Sequence, residues 1–267
     1  MSHDLTLSID QPIEDADGRS TAVQKALCIL ETVLASDEPA TLVEIASASG
    51  MPKPSVHRLL NQLEEVGFIR RDLSGKAYLP GPRWVRLASE TLVAIGRQPP
   101  VREIMRNLVR EVTESCNLAI LRGTEILYVE RVECEWPLRM QLQAGSRVPV
   151  HCTSSGKLLI ALMEPDRRRR FIETLPFQRF TPNTITDREA FEAECETICQ
   201  DGISINREEY HLGLIGVAVP VLREDGNAAA ALAIHAPIFR MSIDQAQLMV
   251  PKLRMAAHRI AVVAGLT

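Results

Sequence analysis

Apolar residues recur along the chain in two periods, and the first third is helical in its spacing. Val23, Ala26, Leu27, Leu30, Val33 and Leu34 fall three and four apart, which predicts an amphipathic helix starting at Ser20 or Thr21. Thr41 followed by Glu44 has the form of a capping box, so a second short helix starts there with Leu42, Ile45 and Ala46 on its inner face. Gly50-Met51-Pro52 ends that helix, and Pro54 can open a third without losing a hydrogen bond. In the third helix Val56, Leu59, Leu60, Leu63 and Val66 define one buried face. Two short strands then flank a Ser74-Gly75 turn, predicting a hairpin. After Gly81-Pro82 the residues Trp84, Val85, Leu87, Ala88, Leu92 and Ile95 are apolar over too wide an arc for a solvent-facing connector. Such a helix needs a partner, and the same helix of a second chain is the simplest one.

From residue 98 the pattern mixes both periods. A helix carries Val101, Ile104, Met105, Leu108, Val109 and Val112, and strand-like runs follow at 118–121, 125–132 and 138–143. Helices are expected over 153–163, 165–175 and 187–200, the last broken by Gly202. Strands return at 203–206, 216–222 and 228–235, the final pair joined by Asp225-Gly226-Asn227, and Ser242 with Gln245 caps a last long helix. Hairpins interspersed with helices, without regular βαβ alternation, indicate an α+β fold with a mostly antiparallel sheet. The expected organisation is a polar flexible tail over 1–19, a first domain over 20–80, a linker helix over 81–97 and a second domain over 98–267.

Two short helices, a tight turn and a basic hairpin make a winged helix-turn-helix. Lys53 stands at the start of the third helix, and Ser55, His57, Arg58, Asn61 and Gln62 look outward from it. Of these Lys53, Ser55, His57, Arg58 and Asn61 are the candidate DNA contacts, with Arg58 placed either to read a base or to hold a phosphate or a neighbouring Glu, and His57 open to being plain surface. Arg70, Arg71 and Lys76 on the wing would neutralise phosphates. Net charge sharpens this picture: at −4, with a pI near 5.9, the chain is no general polyanion binder. Between residues 53 and 83, however, six cations face three anions, an excess that suits a sequence-specific dimer on a double-stranded operator.

Other chemistries are weaker. The six cysteines lack framework spacing, and no secretory segment or membrane-length apolar run is visible, so the protein is expected in the cytoplasm with its thiols reduced. Cys195 and Cys199 lie one helical turn apart without a histidine in register, and read as packing residues. Arg167 to Arg170 point around a helix and read as solvated surface. Ser154-Ser155-Gly156-Lys157 contains an S-x-x-K pattern and also resembles the end of a phosphate loop. The companion elements of the first are missing, and His151 and Leu158 stand where the second needs Gly and Ser or Thr. A hydrolase using this segment is the alternative function; no catalytic residue, metal or cofactor is assigned.

The order of motifs from residue 20 to the end resembles the IclR-type transcriptional regulators of bacteria. The resemblance rests on Val23-Gln24-Lys25-Ala26-Leu27, Leu42 to Ala46, Gly50-Met51-Pro52-Lys53, His57-Arg58-Leu59-Leu60 and Gly67-Phe68. In the second domain it rests on Val148 to Lys157, Asp201-Gly202, Glu208-Glu209-Tyr210 and Gly213-Leu214. It implies a GAF-like effector-binding domain, a homodimer or homotetramer, and control of a catabolic operon by a small organic acid. It also implies an effector pocket lined by Met140, Val148, Ser154, Ser155, Asn206, Gly216, Ala233 and His235. The helix start at Thr153-Ser154-Ser155 independently favours a carboxylate. The sequence departs from the family in having His235-Ala236-Pro237 where many members have Ser-Gly-Pro, and Gly216 where many have Cys. Gly216 is expected to enlarge the cavity and His235 to pair with an acid or phenolic oxygen. Pro54 replaces a common Ser or Thr at the start of the reading helix.

Overall fold

The computed structural model describes residues 21–36, 38–137 and 142–267. The expected tail over 1–19 lies outside the described residues. The chain forms two compact units, divided between Ala88 and Ser89.

In the first unit, helix α1 (Ala22–Ala35) starts at a capping box made by Thr21 and Gln24. Strand β1 (Ala40–Thr41) leads into α2 (Leu42–Ser49), where the expected box is formed: Glu44 accepts from Thr41 N at 2.7 Å, and Glu44 N donates to Thr41 Oγ1 at 3.3 Å. Gly50 closes α2 at φ +63, in the left-handed region where glycine carries no Cβ penalty. Helix α3 (Lys53–Glu65) is followed by β2 (Ile69–Arg71), β3 (Ala77–Pro80) and α4 (Pro82–Gly96). The wing is a three-stranded sheet with β3 between β1 and β2, so β1 adds a strand that the hydrophobic pattern did not show.

Two expectations for this unit need correction. On α1 the buried stripe is Ile29, Leu30 and Val33, with Ala26 against it, whereas Val23, Leu27 and Leu34 are exposed. The sequence carries two overlapping apolar stripes that share Ala26, Leu30 and Val33, and α2 and α3 cover only one of them. On α3, Val56, Leu59, Leu60 and Leu63 are buried as expected, but Val66 is exposed because it caps the helix, where the backbone leaves the helical path.

The second unit continues with α5 (Pro99–Val112), β4 (Ser115–Arg122), β5 (Glu125–Val132), β6 (Arg147–Pro149) and α6 (Ser154–Ala161). After these come α7 (Pro165–Glu173), α8 (Arg188–Asp201), β7 (Ser204–Arg207), β8 (Leu214–Leu222), β9 (Ala228–Pro237), α9 (Ile243–Leu248) and α10 (Val250–Val263). The strands form one antiparallel sheet of order β6-β5-β4-β9-β8-β7. All six expected residues of α5 are buried. Of the strand expected over 138–143, residues 138–141 lie outside the described residues, and Leu142 and Gln143 are not in a strand. The expected final helix is two: α9 holds the Ser242–Gln245 capping box, and Pro251, which lacks an N–H, sits in the first turn of α10.

Side chains alternate across the sheet, and both faces are covered. One face carries Cys116, Leu118, Val217, Val219, Leu232 and Ile234 beneath α5 and α10. The other carries Ala119, Ala218, Ala231 and Ala233 beneath α6. The residues on this second face are small, and buried polar side chains enter the layer between sheet and helix.

Candidate nucleic-acid interface and sensor site

The outward face of α3 is set by its buried one. With Val56, Leu59, Leu60 and Leu63 turned into the core, Lys53, His57, Arg58, Asn61 and Gln62 are exposed and Ser55 is half-buried. Arg70 and Lys76 are exposed on the wing. Arg71 is different: its Nε donates to Glu64 at 3.1 Å, Nη2 to Asn61 Oδ1 at 3.3 Å and Nη1 to the Gly75 carbonyl at 3.2 Å. Its guanidinium also lies 5.0 Å over the Tyr78 ring. The hydrogen bond to Glu64 holds this guanidinium above its ordinary pKa. Arg71 therefore braces the wing against α3 and orients Asn61. Asp72, counted among the local anions, is consumed by the turn: its carboxylate accepts from Lys76 N and Ala77 N, each at 3.1 Å, and from the Ser74 hydroxyl at 2.7 Å.

The second constellation lies beneath α6. Asn206, Gly216 and His235 stand opposite one another on β7, β8 and β9, and Ala233 is one step along the same face. Thr153 caps α6, accepting from Gly156 N at 3.3 Å and donating to the Pro149 carbonyl at 2.8 Å. Gly156 is required here, since a Cβ would lie 2.1 Å from the Val150 carbonyl oxygen. Val148, Ser154, Ser155, Asn206, Gly216, Ala233 and His235 are all buried, whereas Met140 lies outside the described residues. The hydroxyls of Ser154, Ser155 and Ser204 are sealed from solvent and have no hydrogen-bond partner among the described residues. Buried polar groups are normally paired, so three hydroxyls without a partner among the described residues set this layer apart.

His235 is held from behind: Nδ1 lies 2.9 Å from Asn117 Nδ2, and Asn117 Oδ1 accepts from Arg131 Nη1 at 2.8 Å. The Tyr128 ring stands edge-on at 6.5 Å. Burial, helped by the Arg131 charge, pushes the imidazole pKa down to about 3, so His235 is neutral at physiological pH. Gly216 does not enlarge the cavity. A Cβ there would sit 2.7 Å from His235 Cδ2, so the ring occupies the room that the glycine vacates. Asn117, Arg131 and Tyr128 escaped the sequence reading; the one hint was Asn117 in the middle of β4 and the adjacent Glu130 and Arg131 in β5.

Lys157 is fully buried and its ammonium is saturated. Nζ donates to Glu209 at 2.6 Å, Glu194 at 2.7 Å and the Ile205 carbonyl at 2.8 Å. An ammonium committed to two carboxylates cannot serve Ser154 as a base, which removes the chemistry of the S-x-x-K pattern. Arg168 is likewise a structural cation, donating to Glu192 at 2.7 Å and to the Ala161 carbonyl at 3.0 Å, and is buried where solvated surface was expected. Cys195 is buried, and the Cys199 thiol donates to the Ala161 carbonyl at 2.9 Å. Among the described residues no helix is long and apolar enough to cross a membrane.

Comparison with known proteins covers both units. A model of the bacterial transcriptional regulator IclR C-terminal domain matches residues 98–262, and one of the IclR helix-turn-helix domain matches residues 22–73. A probable transcriptional regulator SauR of Cupriavidus necator is 41% identical over 241 residues, spanning 90% of this chain and 96% of that one. The transcriptional repressor IclR of Escherichia coli is 27% identical over 239 residues, spanning 86% and 85%. The crystal structure of an IclR homolog complexed with 4-hydroxybenzoate, from Microbacterium hydrocarbonoxydans, matches with a TM-score of 0.58 at 26% identity, over 91% of this chain and 98% of that one.

Proposed function

The chain belongs to the IclR family of DNA-binding transcriptional regulators, and on that footing we propose that it controls a catabolic operon in response to a small organic acid. The family is one of regulators and not of enzymes. Its winged helix-turn-helix, taken as residues 20–80, reads a pseudo-palindromic operator through Lys53, Ser55, His57, Arg58 and Asn61, with Arg70, Arg71 and Lys76 engaging phosphates or bracing the wing. Residues 81–97 link this domain to a sensor domain over 98–267 and pair with a second chain, giving a cytoplasmic homodimer or homotetramer.

The observation that carries the sensor reading is the set of unpartnered buried hydroxyls at Ser154, Ser155 and Ser204, on the face that holds His235. All of them can donate to an oxyanion, and the first turn of α6 adds backbone amides that favour negative charge. The 4-hydroxybenzoate bound by the Microbacterium homolog is a ligand of this class. The effector acts by preferring one arrangement of the DNA-reading heads, and a tenfold preference is worth about 1.4 kcal/mol.

The test uses the full chain and labelled duplexes from the DNA flanking its own gene, with binding followed by fluorescence anisotropy while benzoates and short alkanoates are titrated in. Arg58→Ala should weaken DNA binding and leave effector affinity intact, and His235→Ala should do the reverse. Loss of both functions in either variant, with the fold preserved by circular dichroism, would defeat the assignment to separate sites.

A further inference from the structure

A hydrogen-bonded chain of buried side chains determines which ring nitrogen of His235 carries its proton. It begins at Arg131, whose guanidinium has only donors to offer. Arg131 Nη1 lies 2.8 Å from the Asn117 carboxamide, so the oxygen of that amide must turn toward the arginine. The amide nitrogen then faces His235 Nδ1 at 2.9 Å and donates to it. A ring nitrogen that accepts carries no proton, and the single proton of the neutral imidazole therefore resides on Nε2. An imidazolium would set two donors against each other at Asn117, a geometric bar to protonation that acts with burial in the same direction. Nε2 itself is the ring nitrogen turned away from Asn117 and lies beside Gly216, 3.1 Å from where a Cβ would stand. Arg131, Asn117 and His235 are all buried, so solvent does not compete with the chain.

We propose that Asn117, anchored by Arg131, is a positioning residue that fixes His235 as an Nε2–H donor on the proposed sensor face, so that the regulator selects effectors presenting an oxygen acceptor there. The selection rests on the reading of this face as the sensor site; the tautomer does not. An effector offering a donor at that point would meet the His235 N–H head-on and leave it unpaired. Gly216 belongs to the same device, because any side chain at that position would displace the ring from its place beside Asn117.

The tautomer is tested without a ligand. Full-length protein labelled with 15N-histidine is observed at pH 8 through two-bond couplings between ring protons and nitrogens, with His235→Gln identifying the resonances. The wild type should show one neutral form protonated at Nε2. In Asn117→Asp one carboxylate oxygen still accepts from Arg131 while the other accepts from Nδ1–H, so the proton should move to Nδ1. Asn117→Leu should give a mixture, which covers the case in which the aspartate variant fails to fold. A wild-type proton on Nδ1, or a ratio unmoved by either substitution, overturns the proposal. The same proteins are then titrated with benzoates and short alkanoates by thermal shift. Ligands that bind the wild type should bind Asn117→Asp roughly ten- to a hundredfold more weakly, because a lone pair now faces their oxygen. Equal affinities alongside a reversed tautomer would overturn the selective role while sparing the sensor reading. A panel in which nothing binds the wild type would overturn the sensor reading and the selection built on it, whatever the tautomer.

Discussion

Replacing Lys157 with methionine tests whether the segment that looked catalytic is a structural staple. The ammonium is wholly enclosed and bonds two carboxylates, of which Glu209 is 4% exposed and Glu194 20% exposed. Methionine fills much of the volume but removes the charge, leaving the buried Glu209 carboxyl without its cation, with an Oε2 that already lacks a partner among the described residues. Breaking a buried pair in this way costs about 3–5 kcal/mol. For a unit of this size each kcal/mol moves Tm by roughly 2–4 °C, so a fall of roughly 6–20 °C is expected in thermal unfolding followed by circular dichroism. Adding Glu209→Gln removes the orphaned charge while keeping an amide oxygen for Arg207 N, which now donates to Glu209 Oε1 at 3.2 Å. The double variant should regain about 1–3 kcal/mol over the single one. A Lys157→Met cost below about 1 kcal/mol, or a double variant less stable than the single, would refute the staple and reopen a chemical role for the lysine.

Gly216→Ala should destabilise the sensor unit by about 1–3 kcal/mol, because the new methyl lies 2.7 Å from His235 Cδ2 and 3.0 Å from the Ile234 carbonyl oxygen. His235→Ala in the same chain should recover most of that loss in urea unfolding, and an additive double variant would contradict the shared space. The lowered His235 pKa makes stability fall with pH: from an unfolded value of about 6.5 to a folded value of about 3, the unfolded chain holds the extra proton. Stability should therefore drop by about 1.4 kcal/mol per pH unit from pH 6.5 down to about 3, and this slope should be absent from His235→Gln, so that it appears in full in the difference between the two proteins. On the wing, Arg70→Ala and Lys76→Ala should each flatten the plot of log K against log salt by about 0.9 for every phosphate left without its cation. Arg71→Ala, which loses a brace to Glu64, should change that slope less, and an equal change would place Arg71 among the residues that neutralise phosphates.

How much of this was legible depended on whether a residue's partner lay nearby in sequence. The α5 stripe could be read because its six apolar residues occupy one face and nothing competes with them. The α1 stripe could not, since two overlapping apolar stripes satisfy the same periodicity and only tertiary packing chooses between them. Strand β6 spans three residues, too short for an alternation to register, and the break between α9 and α10 hides behind a helical pattern that Pro251 interrupts only in the backbone. The capping boxes at Thr41 and Ser242 were legible because both partners sit three residues apart. Lys157 was not, since Glu194 and Glu209 reach it across 37 and 52 residues. The same holds for His235, whose behaviour is set by Asn117, 118 residues away in sequence.

The contrast between Lys157 and its neighbours on α6 bears on how one short helix can anchor the fold and, on the proposed reading, also meet the effector. Its lysine is satisfied three times over, which fixes the helix against β7 at a cost in desolvation that the two carboxylates offset. Its first two residues are left with sealed, unpaired hydroxyls, each costing about 1–3 kcal/mol if no water or ligand meets it. A protein selected for stability alone would replace those serines with alanine, as the opposing sheet positions Ala218, Ala231 and Ala233 already show that small apolar residues fit the layer. Retaining polar groups where the rest of the layer is alanine makes sense if the missing partners arrive with the effector. The rigid lysine staple then serves the sensor directly, because hydroxyls held on a helix that cannot shift are pre-organised for an oxyanion and spend little of its binding energy on rearrangement.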